Sequence, residues 1–141
     1  MSYRYLDHGA DIGLEVVSDS LVGLFREAGR SVFSLMVEVD DIRAEESLEL
    51  GVTDSSLEGL LYEWLSELLS LSNLNGHVYG DFPELTIEES NSGYELKARA
   101  EGEKINPERH ELGTEVKAVT YQGLEITEID GGWRCRFIVD V

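Results

Sequence analysis

His8-Gly9-Ala10-Asp11 places an imidazole and a carboxylate on a short glycine-containing link, just before an alternating apolar segment. At the other end of the chain Asp140 precedes Val141. Asp11 shares strand parity with Gly13 and Glu15, and Asp140 alternates with Phe137 and Val139, so both carboxylates lie off the core faces. If these two segments are antiparallel neighbours, the start of one lies beside the end of the other. Asp11, Asp140 and a terminal carboxylate on Val141 then converge. Two anions ~4 Å apart repel by ~4 kcal/mol at an effective dielectric of about 20, so such a group retains a proton or holds a cation. Oxygen ligands alone select a hard cation, Ca²⁺ or Mg²⁺, over zinc. The same spacing also fits separate, solvated carboxylates at two strand ends, and both readings stay open.

Other chemistry is thinner. His8 and Asp11 are a possible acid–base pair, and the polar segment 102–113 adds Glu108, His110 and Glu111. The alternative for each histidine is a loop residue bonding backbone, because acid–base work needs a defined geometry. There is no Gly-x-Ser-x-Gly, P-loop or dinucleotide fingerprint. Cys135 alternates with Trp133 and Phe137, which reads as a buried small hydrophobe. As the single cysteine it also excludes an internal disulfide framework and Cys-based zinc fingers.

The elements that must position these residues follow from periodicity. Residues 12–17 alternate as a half-buried strand. Leu21, Leu24, Phe25, Ala28, Val32 and Leu35 recur at helical spacing after Ser18-Asp19-Ser20. Residues 42–50 alternate again. Thr53-Asp54-Ser55 opens a second helix, with Ser55 and Glu58 at capping-box spacing. Leu57, Leu60, Leu61, Trp64, Leu65 and Leu68 give its core stripe. The second half reads as strands: 77–89, bent at Pro83; 94–101 after the turn Asn91-Ser92-Gly93; 116–126, broken near Gly123; and 133–140 after Gly131-Gly132. Two amphipathic helices packed on a mostly antiparallel sheet make an α+β fold. Residues 1–141 form a single domain, with no internal repeat and no linker.

Eleven basic residues against twenty-nine acidic ones leave a net charge of −18. That argues against direct nucleic-acid binding, which needs a clustered basic surface. It suits a cationic metal or a basic protein partner. The N-terminal residues form no apolar signal-peptide core, and no stretch approaches the ~20 apolar residues of a membrane span. A cytoplasmic location with no membrane contact is expected.

Asp7-His8-Gly9-Ala10-Asp11-Ile12-Gly13 resembles the His-Thr-Ala-Asp opening of the archeases. The helix over 57–69 resembles that family's central helix. Glu115-Val116-Lys117-Ala118-Val119-Thr120-Tyr121 and the ending at 133–141 resemble its C-terminal signature. The resemblance implies a small acidic accessory protein, not itself an enzyme, that activates the RtcB-type tRNA-splicing RNA ligase by promoting its guanylylation and multiple turnover. It also implies a metal site, calcium in some members, at Asp11, Asp140 and Val141. Gly9 stands for the usual threonine, Gln122 for a common histidine, and Val141 for the commoner isoleucine. Lys117 is a candidate for contact with a phosphate or the partner, or for pairing with a nearby carboxylate. Two other classes remain: a metal-dependent phosphodiester or nucleotide hydrolase using the same carboxylates with His8 or His110 as base, and a metal-free, chaperone-like binding module.

Overall fold

Serines open both helices, and their hydroxyls set the boundaries. In the computed structural model, which describes residues 2–8 and 11–141 (only the backbone of Leu6, Asp7 and His8), α1 spans Leu21–Ser34. The Ser20 side chain accepts the Gly23 N–H at 3.0 Å and so satisfies one orphan donor of the first turn. The second helix, α2 (Leu57–Asn75), starts at Ser56, whose hydroxyl accepts the Gly59 N–H at 3.0 Å. The cap therefore falls one residue beyond Ser55. Glu58 takes no part in a capping box, because Gly59 occupies the third position. Asp54 fixes Ser56 by accepting its backbone N–H at 3.0 Å and its hydroxyl at 3.2 Å. Gly76 ends α2 with a left-handed φ of 67° that β-carbon-bearing residues rarely adopt.

Among the described residues eight strands follow the chain: β1 (Ser2–His8), β2 (Asp11–Ser18), β3 (Glu46–Asp54), β4 (His77–Asp81), β5 (Thr86–Ser90), β6 (Gly93–Lys104), β7 (Ala118–Ile129) and β8 (Gly132–Asp140). They make two antiparallel sheets. One is four-stranded in the order β1-β2-β8-β7; in the other β6 is central, with β3 on one side and β4 and β5 on the other. The helices lie between them. α1 packs on β2 and β8 and reaches β4, while α2 packs on β7 of the first sheet and on β3, β4 and β6 of the second. Leu60, Leu61, Trp64, Leu65 and Leu68 of α2 are fully buried, and the Trp64 indole donates to the Phe25 carbonyl at 2.9 Å.

The α+β class and the two helices match the sequence reading, but the single sheet becomes two sheets with the helices sandwiched between. The strand expected over 42–50 begins later, at Glu46. Ahead of it Val39–Asp41 form a 3-10 turn, and the Arg43 N–H is bound at 2.6 Å by the Glu103 carboxylate instead of by a ladder partner. The single bent strand over 77–89 is β4 and β5, interrupted at Pro83 and Glu84, where φ is +61°. Both pair with the same side of β6, so the expected line of chain is kept. β7 runs two residues later at its start and three at its end than the 116–126 reading, and its register shifts between Thr120 and Glu125 around Gly123, where φ is +78°. β1, not anticipated as a strand, pairs with β2 along its whole length.

Candidate metal centre where two strand ends meet

β2 and β8 are hydrogen-bonded neighbours, and their register places Asp11 directly opposite Asp140. Opposed residues on antiparallel strands carry their β-carbons ~4.5–5.5 Å apart on one face of the sheet. Asp11 is half-buried and Asp140 exposed. On the far side of β8, Ala118 of β7 faces Asp140, and the Lys117 N–H donates to the Asp140 carbonyl at 2.8 Å. Val141 follows, half-buried and packed against the core. The backbone of β1 places His8 opposite Asp11. The His8 side chain and Gly9 lie outside the described residues.

Two positions along the same face, the register produces a different arrangement. Arg4, Glu15, Arg136 and Glu125 form a row across all four strands. Glu15 is held at 2.8 Å by Arg4 and at 2.6 Å by Arg136, and Arg136 also reaches Glu125 at 3.6 Å. The Arg136 hydrogen bond holds the Glu15 carboxyl below the usual carboxylate range, with Arg4 adding to it against the opposing effect of burial. Every anion in that row has a guanidinium. Among the described residues no cationic side chain bridges Asp11 or Asp140. Two like charges directly opposite destabilise a sheet unless something neutralises them. Their oxygens, with the main chain of Val141, are a donor set suited to a hard divalent cation. Among the described residues there is no cluster of three or more His, Cys, Asp or Glu side chains placed to hold a metal.

The remaining candidates are placed elsewhere. His110 is buried: its Nδ1 accepts the Asn106 N–H at 2.9 Å, and its Nε2 lies 2.8 Å from an Arg109 guanidinium nitrogen and 3.2 Å from the Glu103 carboxylate. It is not presented to the carboxylate pair and is not available as a base there. Cys135 is buried, and burial pushes its thiol up to about 12, as expected of a core residue. Lys117 is exposed at the start of β7, beside the Asp140 backbone and without a salt-bridge partner among the described residues. Glu108 and Glu111 are exposed on the 105–117 segment.

That segment is positioned by a group the sequence did not single out. Glu103 is buried on β6 and binds the Arg109 guanidinium, the Arg43 N–H and His110. Burial alone raises its carboxyl; these three partners more than offset that and hold it at about 2. Farther along, Gly113 donates to the Met36 carbonyl and Thr114 to the Leu35 carbonyl, both at 2.7 Å. A β-carbon on Gly113 would fall 2.4 Å from the Leu35 oxygen, so only glycine permits this approach. The two anchors deliver Lys117 to the end of β8.

Two four-stranded antiparallel sheets around a helical pair define an α+β protein with a carboxylate pair at adjoining strand ends. Residues 3–141 match the Archease protein family, and the chain belongs to it. The protein archease of Pyrococcus abyssi is 39% identical over 140 residues, covering 99% of this chain and 98% of that one. Its Methanosarcina mazei counterpart is 37% identical over 139 residues, covering 99% and 95%. The solution structure of a Methanobacterium thermoautotrophicum protein superposes with a TM-score of 0.84 at 31% identity, covering 99% of this chain and 98% of that chain. A Thermotoga maritima archease, described as a possible chaperone, shares the fold at a TM-score of 0.63 and 21% identity, over 98% of this chain and 96% of its own.

Proposed function

We propose that this archease is a non-catalytic, cytoplasmic activator of an RtcB-type tRNA-splicing RNA ligase. In this reading it promotes guanylylation and multiple turnover by presenting a divalent cation, calcium or alternatively magnesium, held by Asp11, Asp140 and the backbone oxygen of Val141. The observation that carries the reading is the cross-strand apposition of Asp11 and Asp140 in a chain of this family. The carboxylates hold the cation at the rim of a sheet, with coordination positions left for a nucleotide or metal of the partner. The net charge of −18 keeps the protein off RNA while steering it to a basic surface on the ligase.

The test is multiple-turnover RNA ligation by the ligase with and without this protein, alongside Asp11→Asn and Asp140→Asn. Stimulation by the parent and its loss in both folded variants are expected. Variants that stay folded and stimulate fully would remove the cation from the mechanism. Turnover of phosphodiester or nucleotide substrates by the protein alone with Mg²⁺ or Mn²⁺ would instead make it a hydrolase.

A further inference from the structure

We propose that the groove between α2 and the free edge of β7 docks an extended polypeptide segment, one with an apolar side chain at its centre and basic residues at both ends. The groove holds about 380 Å³. Leu69, Val78, Val116 and Val119 give it an apolar floor, and Ser66, Ser70 and Asn73 of α2 give it a polar wall. Among the described residues five large hydrophobic side chains are exposed, Tyr5, Leu74, Ile105, Leu112 and Tyr121. Two of them border this groove. Ile105 lines it. Tyr121 stacks edge-on against the lining residue Tyr62, with ring centroids 5.4 Å apart. Exposed apolar side chains bordering a concavity mark a binding surface.

The backbone supplies the second element. β7 ends its sheet, with β8 as its one strand partner among the described residues, and its first residues form the groove's other wall. An outer row of N–H and C=O groups there is a template for one more strand. A segment paired along 117–121 sends alternate side chains toward the floor, the arrangement by which strand addition gains both affinity and specificity.

Charge selects the occupant. Of the fully charged residues only Glu115 and Lys117 line the groove, and they cancel. Exposed Glu63 adjoins the lining residue Tyr62, and exposed Asp140 lies opposite the lining residue Ala118, in a molecule of net charge −18. A second copy would bring the same acidic rim against itself across a two-fold axis, so self-association is opposed. Basic flanks on a foreign segment are attracted.

The probe is a synthetic ten-residue peptide with alternating leucine and threonine at its centre and two lysines at each end, titrated into the isotope-labelled full chain and followed by amide NMR. Saturable shifts at 117–121 and along the Ser66 to Asn73 side of α2 are expected. Affinity falls at least tenfold when the lysines become glutamates, when alternate central amides are N-methylated, or in the exposed variants Tyr121→Glu and Ile105→Glu. Asp11→Asn, which lies beyond β8 from β7, leaves peptide affinity unchanged, so failure here and failure of the cation reading are separable. Absence of saturable shifts, equal binding of the acidic peptide, or concentration-dependent dimerisation through the same residues without peptide overturns the proposal.

Discussion

Asp11 and Asp140 differ from the other paired charges of their sheet in having each other as neighbours. Replacing either by asparagine keeps shape and removes one of two opposed charges, so the metal-free protein should melt at an unchanged or higher temperature. The gain in melting temperature on adding Ca²⁺ should shrink, because ligand stabilisation follows affinity for the folded state. A lower metal-free melting temperature in both variants would instead mark the pair as structural. Glu103 yields a second prediction. Its folded carboxyl sits at about 2 against an ordinary 4.5. The depressed value gives stability that is present above pH ~4.5 and lost as pH falls toward ~2. Glu103→Gln should be destabilised near neutrality, and the difference in urea midpoint from the parent should close over that interval. A difference constant down to pH 2 would show that the carboxylate's charge is not what matters. Parity along the strands made Asp11 and Asp140 visible in the sequence. Glu103 was not, because its three partners come from segments that no local period brings together.

At the scale of elements, α2 was legible almost entirely, since the apolar positions Leu57, Leu60, Leu61, Trp64, Leu65, Leu68 and Leu69 repeat on one face over between three and four turns. Leu61→Ala removes a fully buried side chain between the two sheets and should cost ~2–5 kcal/mol, read from the denaturant midpoint. The start of the helix was misread by one residue because three consecutive polar residues offered equivalent caps. Only the tertiary path through Asp54 chose Ser56. Ser56→Ala should therefore cost ~1 kcal/mol while Ser55→Ala, at an exposed site, should be close to neutral. Reversed magnitudes would restore the first assignment. β1 escaped notice for a different reason. It is an edge strand whose alternation carries polar and apolar residues on both faces, so burial does not imprint a clear period.

For the whole molecule, class and charge were legible and sheet number was not. Alternation tells which residues face a core but not whether two cores share one sheet, and the helices here bury a face against each. The net charge of −18 opposes compaction. Raising KCl from about 20 to about 300 mM, where the screening length falls below ~10 Å, should raise the melting temperature of the metal-free protein. A flat response would mean that local guanidinium–carboxylate rows already compensate the excess.

The pairing of β2 with β8 has a topological consequence. Glu15 and Arg136 meet across a sequence separation of 121 residues, so almost the entire chain is a single closed ring fastened at one seam. Closing so large a ring costs chain entropy that grows only as the logarithm of its length, yet it delays the contact that closes it. The seam is therefore expected to assemble after the two hairpins that flank it. Asp11 and Asp140 stand at the end of that seam. A cation bridging them would act as a fastener on the ring, slowing its opening more than it speeds its closure.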